Sequence, residues 1–114
     1  MKIKLNFVTN SSSTAYIITN LTDKHLDLTD FVMENPHILD NFINEYDYRH
    51  NPGFTDVAML ESAARNNEIF KPKESKYCIF GDESGTLVGQ VFDYMLRDGG
   101  QSKSFKWRFK EHLR

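Results

Sequence analysis

The pattern of hydrophobic and polar positions at the start of the chain predicts two strands. Ile3, Leu5 and Phe7 alternate with polar residues, which is the period of a half-buried strand. The stretch AYIIT at 15–19 is short, β-branched and aromatic, and it predicts a second strand. The polar stretch NSSST at 10–14 lies between them. We interpret it as a loop that links two paired strands, with hydroxyl groups that hydrogen-bond the local backbone.

Apolar residues recur at helical spacing in three segments in the middle of the chain. The first segment carries residues 31–33, the second runs from Ile38 to Tyr46, and the third includes residues 59–64. Their predicted N-terminal residues are Asp27 or Thr29, Asn35-Pro36, and Thr55 or Asp56. We therefore predict three consecutive helices.

The C-terminal part of the chain predicts a strand, a helix and a further strand. YCIFG at 77–81 is the apolar run of a central strand, and apolar positions between Leu87 and Met95 recur at helical spacing. That helix carries Asp93 on its polar side, four residues ahead of Arg97, which is the spacing of an ordinary surface ion pair. In the last segment, SFKWRFKEH, one predicted face carries Phe105, Trp107 and Phe109, and the other carries Lys106, Arg108, Lys110 and His112.

The order of these elements, ββ-ααα-β-α-β, predicts an α+β fold in a single domain over residues 1–114. We expect a mostly antiparallel sheet of about four strands, with helices packed on one face. The three rings of the last strand would then be hidden beneath the helices, and its cations would be left in water. Nine Phe, five Tyr and one Trp supply enough large side chains for one core.

The net charge is only −2, but the charges are segregated along the chain. Between Leu21 and Ser62 there are nine acids and two bases, and between Lys103 and Arg114 there are five bases and one acid. Alternating aromatic and basic residues occur on sheets that bind single-stranded nucleic acid, but here the two sets face opposite sides. A solvated outer face is the plain alternative. The candidate contacts for nucleic acid or for an acidic partner are Lys103, Lys106, Arg108, Lys110 and Arg114.

Aromatic residues crowd the acidic middle segment NEYDYRHNPGF at 44–54. Aromatic side chains beside charges are typical of protein interfaces. The residues Tyr46, Tyr48, His50 and Phe54 therefore form a candidate interface. The alternative is that most of these rings belong to the core.

The sequence contains no catalytic, cofactor-binding or metal-binding motif. The serine run lacks the glycines and lysine of a phosphate-binding loop and the G-x-S-x-G elbow of a serine nucleophile, and the four histidines lack metal-ligand spacing. Asp82 and Glu83 are adjacent and would point to opposite faces of a strand, so that a charge pair at a helix N-terminus explains them better than catalysis. An enzyme site assembled from distant residues, such as these two acids and a histidine, is a third hypothesis.

Cys78 is the only cysteine, and the chain therefore cannot form an internal disulfide. Its place in an apolar run favours a reduced, buried thiol in a cytoplasmic protein. The first twenty residues lack the uninterrupted apolar core of a signal peptide, and no run is long enough to span a bilayer. We expect no membrane partner.

The segment MKIKLNFVTNSSSTAYII at 1–18 resembles an N-terminal tag, MKIR-x-GFVSNSSSSSF-[IV], that heads many small uncharacterised proteins of phages and bacteria. The matching residues are Met1, Lys2, Ile3, Phe7, Val8, Asn10, Ser11, Ser12 and Ser13. Thr9 replaces a serine, and Asn6 stands where the tag has glycine. The resemblance implies an origin in a phage or mobile element and supplies no mechanism. The residues of a tag that another molecule recognises would be Asn10, Ser11, Ser12 and Ser13.

These features favour a small cytoplasmic accessory protein of a bacterial or phage-infected cell. It would act by binding another protein of the host or of the phage, without a cofactor. A nucleic-acid-binding module that uses the basic last strand is the alternative.

Overall fold

The computed structural model describes residues 13–46, 53–66, 68–81 and 86–113. Its strands are β1 (Ser13–Asn20), β2 (Leu26–Asp27), β3 (Ile69–Phe70), β4 (Ser75–Gly81), β5 (Gly100–Gln101) and β6 (Phe105–Leu113). Its helices are α1 (Leu28–Glu34), α2 (His37–Glu45), α3 (Asp56–Asn66) and α4 (Leu87–Met95). The strand predicted over residues 2–8 lies outside the described residues.

Four of the described strands form one antiparallel sheet in the order β4-β1-β6-β5, which confirms the predicted α+β fold. β2 and β3 form a separate two-stranded ribbon. β1 lies inside the large sheet, where it pairs with β4 from Ser13 to Thr19 and with β6 from Ser13 to Asn20. Over this length both edges of β1 are occupied. The expectation that the serine run links β1 to a strand paired with it is therefore wrong, because β1 has no edge left for that partner.

Helices cover one face of the large sheet, as predicted. The buried residues of that face include Tyr16, Ile18, Phe80, Phe105 and Trp107. Phe31 of α1 joins the two layers, because its ring packs against those of Phe105 and Trp107 with 5.1 Å between ring centroids. Phe105 and Trp107 are therefore hidden beneath the helices, as the alternation of the last strand predicts.

Side-chain caps fix where two of the helices begin. The Asp27 carboxylate accepts a hydrogen bond from the Asp30 amide at 3.0 Å, and the Asp30 carboxylate accepts one from the Asp27 amide at 2.9 Å. α1 thus begins with a reciprocal capping box. At the start of α4, the hydroxyl of the N-cap residue Thr86 accepts a hydrogen bond from the Gly89 amide at 3.0 Å, and the Ser62 hydroxyl of α3 accepts one from the Val88 amide at 3.0 Å. α3 therefore satisfies one of the backbone donors that a helix leaves open at its start.

The alternation of β6 is interrupted at Lys110. Tyr16 of β1 pairs with Phe109, whereas the preceding residue of β1 pairs with Glu111. Lys110 is therefore the extra residue of a β-bulge. Beyond the bulge the two faces of the strand are exchanged, so that His112 lies on the helix side and its predicted place among the cations is wrong. Phe109, predicted to be buried with the other two rings, is exposed.

Asp93 is fully buried in α4, so the prediction that it lies on a polar surface of that helix is wrong. The predicted pair with Arg97 is present, with 3.4 Å between Arg97 Nη2 and Asp93 Oδ1. Helical spacing marks this side of α4 as polar, but the Asp93 side chain faces β1, where it accepts a hydrogen bond from Thr14 Oγ1, and it is enclosed there. Asp93 is therefore an interior polar residue.

Candidate functional site

The sheet face opposite the helices carries no helix in the part of the chain that the structure describes. This face, called the outer face below, consists of Ala15, Ile17 and Thr19 of β1, Ser75, Tyr77 and Ile79 of β4, and Lys106, Arg108 and Glu111 of β6. Directly paired residues of antiparallel strands share a face, so these residues form rows across the three strands. The rows are Ile79–Ala15–Glu111, Tyr77–Ile17–Arg108 and Ser75–Thr19–Lys106.

Tyr77 and Ile79 are the exposed large apolar residues of the outer face, with 44% and 50% of their surface accessible. The Tyr77 hydroxyl donates a hydrogen bond to Glu111 Oε2 at 2.6 Å, although β1 lies between their two strands. The phenol side chain must therefore cross β1, which accounts for the full burial of the small Ala15 on this face. The hydrogen bond to Glu111 also raises the pKa of Tyr77. Tyr77 thus presents a fixed ring on the open face of the sheet.

Two cations lie on the same face. Lys106 and Arg108 are exposed, and Arg108 is level with Ile17 and Tyr77 across the sheet. Neither cation forms an ion pair with another residue that the structure describes. Positive charge therefore adjoins the exposed apolar side chains and is available to an acidic group of a partner.

The other predicted cations lie elsewhere. Lys103 is in the turn between β5 and β6, and Lys110 is the bulged residue of β6. Arg114 lies outside the described residues. The structure therefore brings two of the five predicted basic residues together on the outer face.

β4 is an edge strand among the strands that the structure describes. It pairs with β1 on one side, and no other described strand pairs with it on the other side. The backbone N–H and C=O groups of such an edge can receive a further strand. Because Tyr77 and Ile79 stand on β4, the edge and the exposed apolar side chains form one continuous surface.

The candidate interface in the acidic segment is described only in part. Tyr46 is buried and Phe54 is half-buried. The ring of Phe42 lies 5.1 Å from that of Tyr46 and 5.9 Å from that of Phe54, measured between centroids. These two rings pack within the helical layer, which corrects the expectation that they form an exposed interface. Tyr48 and His50 lie outside the described residues.

The predicted recognition tag is also described only at its end. The residues Asn10, Ser11 and Ser12 lie outside the described residues. Ser13 is the first residue of β1 and is paired with both β4 and β6. Its backbone therefore belongs to the sheet rather than to a loop.

A buried polar network lies on the helix side of the sheet. Thr14 Oγ1 donates a hydrogen bond to Asp93 Oδ1 at 2.5 Å, and the Asp93 carbonyl accepts one from the Tyr16 hydroxyl at 2.8 Å. Arg97 Nε donates to the same carbonyl at 2.9 Å. His112 Nδ1 lies 3.3 Å from Thr14 Oγ1. Because the single hydroxyl proton of Thr14 is directed to Asp93, the Thr14 hydroxyl can act toward His112 only as an acceptor.

This network is structural rather than a reaction centre. Thr14, Tyr16 and Asp93 are fully buried, and burial is the main cause that raises the pKa of Tyr16. Patterns along the sequence did not predict the network. The sequence feature that could have indicated this network is the single aspartate, Asp93, within the apolar run of α4.

The described residues offer little other chemistry. Burial raises the pKa of the Cys78 thiol to about 12, so that it stays protonated at neutral pH. Among the described residues, no three His, Cys, Asp or Glu side chains are arranged to hold a metal ion. Asp82 and Glu83 lie outside the described residues. None of the described helices combines the length and the apolar character needed to cross a bilayer.

No protein-family model matches the chain, and comparison with curated proteins and with solved structures gives no significant match. The resemblance of residues 1–18 to the phage and bacterial tag therefore stays a prediction. The geometry of the outer face is the remaining indication of function.

Proposed function

We propose that this protein acts by binding another protein, and that the outer face together with the edge of β4 is its binding surface. The observation that carries the proposal is the exposed pair Tyr77 and Ile79 beside Arg108, on a sheet face that no described helix covers. Protein interfaces are enriched in aromatic residues and arginine and have an apolar centre with a polar rim. The outer face has this composition.

The partner that fits this surface contributes an extended segment and acidic side chains. The backbone of that segment would pair with the edge of β4 and extend the four-stranded sheet. Alternate side chains of the added strand would lie level with Tyr77 and Ile79. Acidic groups of the partner that reach across the outer face would meet Lys106 and Arg108, and this charge attraction would favour the encounter and its orientation.

The cellular setting of the proposal rests on the sequence. A single, buried and protonated Cys78 suits a reducing cytoplasm. The N-terminal resemblance suits a small accessory protein of a phage or mobile element. The partner would then be a protein of the host or of the phage.

Affinity capture with matched variants tests the binding surface. Ile79→Glu replaces an exposed apolar side chain of the outer face with an acid that would repel an acidic partner. Met33→Glu makes a similar change in α1, at a residue that is 58% exposed. We expect wild type and Met33→Glu to retain a stoichiometric partner from bacterial lysate at low salt, and Ile79→Glu to lose it. Equal capture by all three proteins, or none by wild type, would contradict the proposal.

Nucleic-acid binding is the second candidate, and one observation favours it. The fixed ring of Tyr77 lies on the same face as Lys106 and Arg108. A single ring is a small stacking platform, because Phe105 and Trp107 are buried under the helices.

Titration of labelled single- and double-stranded oligonucleotides at about 50 mM and about 200 mM salt separates the two candidates. Binding at the lower salt that falls in a Lys106→Ala/Arg108→Ala double variant would support nucleic-acid binding. Absence of binding by wild type at the lower salt would exclude it.

A further inference from the structure

A small pocket lies at the C-terminal end of β4. Its lining includes the last three residues of that strand, 79–81, together with Asn66 of α3 and with Thr86 and Gly89 at the start of α4. Its volume is about 190 Å³, below the range of roughly 300–1,000 Å³ that is typical of sites for small-molecule ligands. Because it adjoins the edge of β4, this pocket is suited to a single side chain of a bound protein segment.

One polar atom that lines the pocket lacks a hydrogen-bond partner. Asn66 is the last residue of α3, and its Oδ1 atom is buried although the residue as a whole is half-buried. Among the residues that the structure describes, this is the one buried side-chain oxygen or nitrogen without a partner. A buried acceptor that stays unsatisfied costs free energy, and native proteins contain few of them. A group that donates a hydrogen bond would therefore be favoured in this pocket.

The pocket favours a neutral donor over a charged one. None of the described residues that line it carries a charge. A lysine or arginine head group would lose its water there without meeting a carboxylate, which is costly. The hydroxyl of serine or threonine and the amide of asparagine or glutamine are neutral groups that donate a hydrogen bond.

An antiparallel strand added to the edge of β4 would bring a side chain to this pocket. Phe80 lies on the helix side of the sheet, where its ring packs against Phe92 of α4 with 5.2 Å between centroids. Directly paired residues of antiparallel strands share a face. A partner residue paired with Phe80 would therefore point to the helix side, where Asn66 lines the pocket. The neighbours of that partner residue would point to the outer face, one of them beside Ile79.

We propose that this pocket selects a serine, threonine, asparagine or glutamine of the extended partner segment, whose donor bonds Asn66 Oδ1. This inference rests on the proposed function, because the segment must pair with the edge of β4 to reach the pocket. It adds a rule for the sequence of the partner, since the residue opposite Phe80 is a neutral donor. Asn66 would thus determine specificity, and its acceptor would be satisfied only in the complex.

Selection of phage-displayed random linear heptapeptides on the immobilised protein tests this rule. We expect wild type to enrich peptides that share a neutral donor at one position. Asn66→Leu replaces the acceptor with an apolar side chain and should enrich apolar residues at that position. Asn66→Asp keeps an acceptor and should keep the preference for donors, now extended to lysine and arginine. Asn41→Leu, at an exposed position of α2, is the control and should select the same peptides as wild type.

The outcomes separate this inference from the proposed function. No enrichment by wild type, or enrichment that persists in Ile79→Glu, would contradict the proposed binding surface, and the inference would fall with it. If Ile79→Glu abolishes enrichment but Asn66→Leu selects the same peptides as wild type, the surface stands and the role of Asn66 is wrong. For a synthetic peptide of the enriched sequence, we expect Asn66→Leu to weaken binding about tenfold, the usual consequence of losing a buried hydrogen bond.

The stability of the free protein gives an independent measurement. Because Asn66 Oδ1 has no hydrogen bond to lose, Asn66→Leu should not lower the urea midpoint of the free protein. Asn41→Leu is again the control. If Asn66→Leu lowers the midpoint and Asn41→Leu does not, the acceptor is already satisfied in the free protein, and the proposal is overturned.

Discussion

Thr14 Oγ1 and Asp93 Oδ1 are 2.5 Å apart, although the two residues lie 79 positions apart in the chain. Both residues are fully buried, so that this hydrogen bond joins the central strand of the sheet to α4 at a point closed to solvent. Arg97 reaches the same carboxylate oxygen at the longer distance of 3.4 Å. A buried carboxylate is costly unless it is paired and hydrogen-bonded, and the fold therefore depends on the hydroxyl of Thr14.

Thr14→Val should lower the free energy of unfolding by about 1–3 kcal/mol, because it removes the donor and leaves a buried carboxylate short of a partner. Thr19→Val in the same strand is the matched control. The Thr19 hydroxyl lies 2.7 Å from Ser75 Oγ on the outer face, and losing this exposed contact should cost less than about 0.5 kcal/mol. Urea denaturation measures both values. Equal destabilisation by the two variants would contradict the role assigned to Asp93.

Asn20 holds the other end of β1. It is fully buried, its Nδ2 donates to the carbonyl oxygens of Lys24 at 2.7 Å and Phe70 at 3.0 Å, and its Oδ1 accepts from the Thr22 amide at 2.8 Å. Asn20→Asp should destabilise the fold by about 2–4 kcal/mol at neutral pH, because it removes the donors and turns a carboxylate toward carbonyl oxygens. Asn41→Asp, at an exposed position of α2, should stay within about 0.5 kcal/mol. A thermal or urea melt that ranks the two variants equally would refute this.

Features that depend on nearby residues could be predicted from the sequence. The alternation around Phe105 and Trp107 predicts both the last strand and its buried face. Asp27 is one of the two residues that the sequence offers as the cap of α1, and it is the residue that caps it. Strand alternation and helix capping both act within a few positions, which is why a single sequence reveals them.

Features that depend on distant residues could not be predicted. The bulge at Lys110 sets one extra residue against β1 and exchanges the faces of β6, and nothing within β6 marks it. Asp93 has the helical spacing of a surface residue, and the packing of α4 onto Thr14 encloses it. The candidate site on the outer face likewise depends on residues that are distant in the chain. Alternation places Arg108 on the outer face, but Tyr77 joins it only because β1 lies between β4 and β6.

The reactivity of the Cys78 thiol should measure how often the sheet opens, because this thiol is buried. It is buried in β4 beside Tyr16 of β1, and burial raises its pKa to about 12, against about 8.5 for an exposed thiol. At about pH 8 the native thiolate population is therefore lower than that of the unfolded chain by about three orders of magnitude. We expect a thiol reagent such as DTNB to label Cys78 only through unfolding, at a rate that rises with urea in step with the unfolded fraction. Rapid stoichiometric labelling without denaturant would be incompatible with this buried thiol.

Glu34, the last residue of α1, accepts hydrogen bonds from the turn between β5 and β6 and so holds this turn against the helix. Its Oε2 accepts hydrogen bonds from the Ser102 hydroxyl and from the Ser104 amide, the latter at 2.7 Å. Burial by itself raises the pKa of Glu34, but the hydrogen bonds from Ser102 and Ser104 outweigh burial and lower the pKa below its ordinary value. The folded state therefore favours the ionised carboxylate.

The contribution of Glu34 to stability should consequently depend on pH. This contribution is fully present above the unfolded pKa of about 4.3 and is lost as the pH falls through the lower folded pKa. Protonation removes the negative charge that strengthens the hydrogen bonds from Ser102 and Ser104. After allowance for solvent screening, Glu34→Gln should lower the free energy of unfolding by at most about 1 kcal/mol near pH 6.5 and by less near pH 3. Urea denaturation at both pH values measures this. In a Ser102→Ala background, which lacks one donor to Glu34, this pH dependence should be smaller. If Glu34→Gln lowers the free energy of unfolding equally at both pH values in the wild-type background, the role assigned to the ionised carboxylate is wrong.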